Sequence, residues 1–213
     1  MPICSYREVD EQVCSLLWRI SEPEEVLLQT AVLDPRLEIA YRQITHTRRR
    51  REWLATRAAL RHLLTQLGHE RAALCQDKLG KPYLTGSNMQ ISLAHCEAYA
   101  YVAAAQGCAI GVDIQKPCTS LQRVQHRFLQ EEETAAGIHD LDTLCVYWCA
   151  KEAIYKAQGG QEGLLRDIYI NPFVADKQGI LTGHTHKQTF SVHYRWYNGH
   201  VLARSNAIHG GSS

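Results

Sequence analysis

The chain has 213 residues, of which 45% are hydrophobic and 21% charged. Those proportions exclude a disordered or fibrous protein and suit one sizeable domain or two small lobes. Lys plus Arg (23) nearly cancels Asp plus Glu (22), for a net charge of +1, so the overall balance singles out no nucleic acid or other charged macromolecule as partner.

In chain order, residues 24–33 read as a short helix stopped by Pro35, which itself suits the first turn of a second helix. Residues 41–66 carry a 3.6-residue apolar period through Trp53, Leu54, Ala58, Leu60, Leu63 and Leu64, with Gly68 as a natural stop. Near the start of this segment stands an unbroken run, Arg48 to Arg51, followed by Arg57 and Arg61. Lys78 to Tyr83 reads as a turn into a short extended piece, and Gln90 to His95 as a strand. Residues 98–105 fit helix or strand. The Gln106-Gly107 break and the apolar run from Ala109 to Ile114 favour two strands with a tight turn between them. Residues 119–138 look helical with an interruption near Phe128, and residues 141–158 form the clearest helix of the second half, ended by Gly159-Gly160. The remainder reads as antiparallel strand at 168–170, 189–196 and 201–203, with Asn198-Gly199 as a hairpin turn and a disordered tail at 210–213. Helices and strands mix without a βαβ rhythm, so the fold class is α+β. A division near Gly107 separates an N-terminal lobe, 1–107, from a C-terminal lobe, 108–213.

The eight cysteines show no C-x-x-C pair. Residues 1–10 lack the cationic start and apolar run of a signal peptide, and no run of about 20 apolar residues occurs. Reduced, mostly buried thiols in a cytoplasmic protein without a membrane span are therefore expected. The Arg run comes with no nucleic-acid-binding motif.

Three segments could carry chemistry. In Ile110-Gly111-Val112-Asp113-Ile114-Gln115, strand alternation sends Val112 and Ile114 to the core and Gly111, Asp113 and Gln115 to the other face, where the glycine leaves room for a phosphate beside a carboxylate. The same pattern also fits an ordinary strand end. In Trp148-Cys149-Ala150-Lys151-Glu152-Ala153-Ile154-Tyr155-Lys156, residues 148, 152 and 156 share one helix face. A Glu and a Lys beside a Trp suit a cleft and acid–base work, although an exposed Glu–Lys pair would give the same spacing. Arg49, Arg50, Arg57, Lys81 and His95 are phosphate-directed cations in character, and equally suit a solvated helix face and a core histidine.

Taken in order, Gly80-Lys81-Pro82, Ile91 to His95, Gly111 to Gln115, Arg127-Phe128 with Glu133, and Trp148 to Lys156 resemble the 4'-phosphopantetheinyl transferase superfamily, in particular its two-lobed, surfactin-synthetase-activating class. The resemblance implies two similar α+β lobes in a pseudo-twofold arrangement with the active site at their interface, a monomer, and transfer of 4'-phosphopantetheine from coenzyme A to a serine of an apo acyl, polyketide or peptidyl carrier protein. It further implies that Asp113 and Glu152 bind Mg2+, that Glu152 deprotonates the serine, and that Lys156 and Lys151 offset pyrophosphate charge. Arg49, Arg50, Arg57, Lys81 and His95 would hold the coenzyme A phosphates. Gln115 replaces a carboxylate common in the class, so a two-carboxylate metal site with an indirect contact at Gln115 is expected. Ala94 replaces a phosphate-contacting Ser. These two departures leave open a relative that binds coenzyme A or a carrier protein without efficient turnover.

Overall fold

The computed structural model describes residues 4–9, 12–78, 80–135, 140–160 and 164–208; the tail expected to be disordered at 210–213 lies outside them. The chain divides into two compact units, Met1–Cys75 with Pro82–Gly107, and Gln76–Lys81 with Cys108–Ser213. Both contain a sheet and helices, which makes the fold α+β.

The first unit contains β1 (Cys4–Val9), β2 (Val13–Arg19), α1 (Glu24–Ala31), α2 (Pro35–Arg42), α3 (Thr47–Gln66), β3 (Ala73–Gln76), β4 (Pro82–Thr85), β5 (Met89–His95) and β6 (Tyr99–Gln106). Its main sheet has the order β1-β2-β6-β5 and is antiparallel throughout. Helix α3 lays Leu54, Ala55, Ala58 and Leu63 against Leu16, Trp18, Ile91 and Val102 of the sheet, all 3% exposed or less. The apolar period that starts at residue 41 does not belong to one helix. It is broken between Arg42 and Thr47, where Thr45-His46-Thr47 favours a helix start over a helix interior. Asp34 caps α2, its Oδ1 accepting the N–H groups of Arg36 and Leu37 at 2.8 and 2.9 Å.

The second unit contains β7 (Ile110–Gln115), α4 (Thr119–Val124), a 3-10 turn (Gln125–Arg127), α5 (Glu131–Ala135), α6 (Leu141–Ala157), a second 3-10 turn (Leu165–Asp167), β8 (Tyr169–Ile170), β9 (Gln178–His184), β10 (Thr189–Tyr197) and β11 (His200–Ala207). The sheet order is β7-β11-β10-β9-β8, again antiparallel. Helix α6 packs on it through Val146, Ala150, Ala153 and Ile154, facing Phe190, Val192, Val201 and Ala203. Its start is fixed by Asp140, whose Oδ1 accepts the Thr143 N–H at 2.7 Å, a bond that holds the carboxyl below its ordinary value. The β10–β11 hairpin turns at Asn198 and Gly199, both with positive φ (45° and 72°), as a tight turn of this type requires.

One expectation is corrected here. The turn at Gly107 does not join a hairpin: β6 and β7 lie in different sheets, so this break is where the chain leaves one sheet for the other.

Candidate active site

Strand β7 and helix α6 build the first cluster. Gly111 shows which face of β7 meets the helix: a Cβ placed on it would lie 1.8 Å from the Ala153 carbonyl oxygen and 2.6 Å from the Ala157 nitrogen. The face carrying Gly111, Asp113 and Gln115 is therefore the helix-packed face. The absent side chain makes room for α6, not for a phosphate, contrary to the expectation from strand alternation. Two residues along the strand, Asp113 is only 8% exposed. At Gln115, the backbone oxygen accepts from the Cys145 thiol at 3.6 Å, two helical turns before Ala153. The side-chain amide of Gln115 donates to the Lys116 carbonyl at 2.9 Å.

This close approach brings together three of the expected residues. Lys156 Nζ donates to Asp113 Oδ1 at 2.7 Å and to the Val112 carbonyl at 3.0 Å. Glu152, one turn before Lys156, is half-buried. Burial first, and then the negative charge of Asp113, push its carboxyl from 4.5 up to about 6, while Lys156 pulls it down. On the same stripe Trp148 meets Phe128 edge to face, ring centroids 5.1 Å apart. Exposed Glu–Lys spacing on a solvated face is thereby excluded.

Lys151 is placed elsewhere. It is completely buried, and its ammonium donates to Glu133 Oε2 at 2.6 Å, the Phe128 carbonyl at 2.7 Å and the Ile168 carbonyl at 2.5 Å. Glu133, also buried, accepts in addition the N–H groups of Gln130 (2.7 Å) and Ile170 (2.8 Å). An ammonium has three protons, and the core takes all three, so Lys151 is not offered to a ligand. Burial lowers its pKa while Glu133 raises it. Sequence reasoning assigned no role to Glu133; the signal was its place at the end of the Arg127-Phe128 stretch, where it alone of the run Glu131 to Glu133 is buried.

The remaining expected cations separate in the same way. Successive residues on a helix point about 100° apart, so the Arg run fans around α3. Arg48 reaches Glu52 (3.3 Å) and Glu97 (3.7 Å). Arg50 pairs with Glu24 at 2.9 Å, which also accepts from the Tyr41 hydroxyl at 2.5 Å. Arg51 donates to the Glu22 carbonyl at 3.1 Å. Arg49 is exposed and lines a cleft of about 390 Å³ together with Ala40, Ile44, His46, Trp53 and His95. Arg50, expected to hold a phosphate, is thus engaged in tying α1 to α3. Arg57 stacks its guanidinium 3.7 Å above the Trp53 ring and donates to the Trp53 carbonyl and the Thr56 hydroxyl. It borders a second cavity of about 220 Å³ with Leu60, Leu64 and Leu74, and burial lowers its pKa to about 9, which leaves it cationic at neutral pH. His95, at the end of β5, has Nδ1 3.1 Å from Glu52 Oε2. Lys81 closes a turn in which Asp77 Oδ1 accepts its N–H at 2.9 Å. Its ammonium lies near Gly159, just past α6, 3.5 Å from where a Cβ would stand.

Two family models match the chain: the 4'-phosphopantetheinyl transferase N-terminal domain over residues 38–105 and the 4'-phosphopantetheinyl transferase superfamily over residues 109–207. The chain belongs to the 4'-phosphopantetheinyl transferase superfamily. It is accordingly a transferase of phosphopantetheine, in a family that uses coenzyme A as co-substrate. No curated protein matches the chain. In this transferase the second match contains Asp113, Glu152 and Lys156, and the first contains Arg49, Arg57, Lys81 and His95. Among the described residues no group of three or more His, Cys, Asp and Glu side chains could hold a metal ion; Asp113 and Glu152 form a pair.

Proposed function

We propose that this transferase moves 4'-phosphopantetheine from coenzyme A to a serine of an apo acyl or peptidyl carrier protein, releasing 3',5'-ADP, in the manner of the surfactin-synthetase-activating class. The observation that carries the reading is the cluster of Asp113, Glu152 and Lys156, built by the close approach of α6 to β7. A carboxyl near 6 is mostly ionised at neutral pH yet more basic than an ordinary one, which suits Glu152 to take the serine proton, directly or through water. The serine oxygen then attacks the phosphorus bearing the pantetheine arm, and the bond to 3',5'-ADP breaks. Lys156 offsets negative charge at the pyrophosphate, and its bond to Asp113 holds it in place. Arg49, Arg57, His95 and Lys81 bind the phosphates of coenzyme A. Work of this kind is mostly positioning and charge stabilisation.

Two carboxylates close enough to feel one another's charge fit Mg2+, a hard cation often held by one or two carboxylates plus substrate phosphates. Asp113 and Glu152 would hold it; the neutral amide of Gln115, engaged with Lys116, would contribute at most through water. When bound, the ion would polarise the pyrophosphate and assist the departing 3',5'-ADP.

The test is incubation with coenzyme A, Mg2+ and a panel of apo carrier proteins. A mass gain of one phosphopantetheine on the carrier serine with equimolar 3',5'-ADP is expected, abolished by Glu152→Ala. Coenzyme A binding without any mass gain would instead identify a binding protein.

A further inference from the structure

The second carboxylate that stands out in this molecule is Glu52, on α3 of the first unit. It is 7% exposed, yet it carries no place in the chemistry above. Its two oxygens are divided: Oε1 faces Arg48 Nε at 3.3 Å and Oε2 faces His95 Nδ1 at 3.1 Å. Arg48 is steadied further by the exposed Glu97 at 3.7 Å, two residues beyond His95 in the chain. The arrangement is a row, Glu97–Arg48–Glu52–His95, that ends on a ring lining the 390 Å³ cleft with Arg49 and Trp53.

A histidine can donate from Nε2 while Nδ1 is also protonated only as the imidazolium. Arg49 and His46 border the same cleft, and Arg48 lies beyond the carboxylate; the two guanidinium groups oppose a positive ring at His95. Glu52 supplies the opposite charge next to Nδ1, which favours the charged ring. Accepting the Nδ1 proton also restrains the ring's rotation, as carboxylates do for the histidines of metal and catalytic sites.

We propose that Glu52 is a positioning residue for phosphate binding: it accepts the Nδ1 proton of His95, sets the ring's orientation, and supplies the counter-charge that lets Nε2 donate to a coenzyme A phosphate. The inference rests on the reading of His95 as a phosphate ligand, and the experiment separates the two. Coenzyme A affinity is measured by calorimetry for the wild type, His95→Ala and Glu52→Gln, with 15N NMR of the His95 ring in the coenzyme A complexes at pH 7. Glu52→Gln keeps size and an acceptor oxygen but removes the charge; its circular dichroism spectrum and melting curve establish that it folds. The expected result is weakening by both variants, about tenfold for Glu52→Gln on the scale of one charge-assisted hydrogen bond. Both ring nitrogens should be protonated in the wild-type complex, and one should lose its proton in Glu52→Gln. If His95→Ala weakens binding while Glu52→Gln changes neither affinity nor the 15N shifts, the positioning role is overturned and the phosphate reading stands. If His95→Ala leaves affinity unchanged, the phosphate reading of His95 fails, and the inference with it.

Discussion

Glu152 occupies a place where function and stability oppose each other. Its carboxyl ionises near 4.5 when free and near 6 in the folded chain, so between those values the folded state binds more protons and stability falls as pH rises. Above about pH 6 the cost levels off at about 2 kcal/mol. Glu152→Gln is expected to abolish transfer while raising stability at pH 7 by up to that amount, read from urea unfolding. In the metal-free protein, a 13C NMR titration of the Glu152 carboxyl should have its midpoint near 6 and move lower in Asp113→Asn; a midpoint near 4.5 would remove the argument for an unusually basic carboxylate. Lys151, its neighbour in sequence, behaves differently because the helix turns it about 100° away. Lys151→Met should cost about 3–5 kcal/mol by leaving Glu133 charged and unpaired in the core, and adding Glu133→Leu should recover most of it. Were Lys151 a phosphate ligand instead, the single variant would lose activity with little loss of stability.

At the scale of elements, the contact between β7 and α6 decides the site. Helix α6 bears Glu152 and Lys156 and β7 bears Asp113, and the backbone-to-backbone approach at Gly111 sets the distance between them. Gly111→Ala would place a methyl inside the Ala153 carbonyl, so α6 must move away. The expected outcome is destabilisation of about 3 kcal/mol or more together with loss of transfer, although Gly111 itself touches no substrate. Unchanged activity would show that the site does not depend on this packing distance. The Arg run on α3 illustrates the same point. Four consecutive arginines look alike in the sequence, yet Arg48, Arg50 and Arg51 meet Glu52, Glu24 and the Glu22 carbonyl, while Arg49 lines the cleft.

Across the whole molecule, Cys14, Cys75, Cys96, Cys108, Cys118, Cys145 and Cys149 are free thiols. Melting temperatures with and without a reductant should therefore agree; a drop on reduction would reveal a structural disulfide. No helix among the described residues is long and apolar enough to cross a membrane. The chain is not cut cleanly between its units, because the short turn Gln76–Lys81 groups with the second unit while its flanking strands group with the first. That turn carries Lys81, whose backbone N–H is held by Asp77.

The amino-acid order by itself was enough for the α+β class, for the long helices bearing the Arg run and the Trp148-to-Lys156 motif, for the Asn198-Gly199 turn, and for Asp113, Glu152 and Lys156 as candidates. These are carried by local periodicity, turn residues and motif spacing, all of which act over a few residues. Tertiary structure alone decided that β6 and β7 enter different sheets, that Gly111 admits a helix, that Lys151 is spent on Glu133, and that Glu52 stands behind His95. Each of these depends on groups far apart in the chain, Lys151 and Glu133 being 18 residues apart, and burial of charge is settled by that long-range packing rather than by the neighbouring sequence.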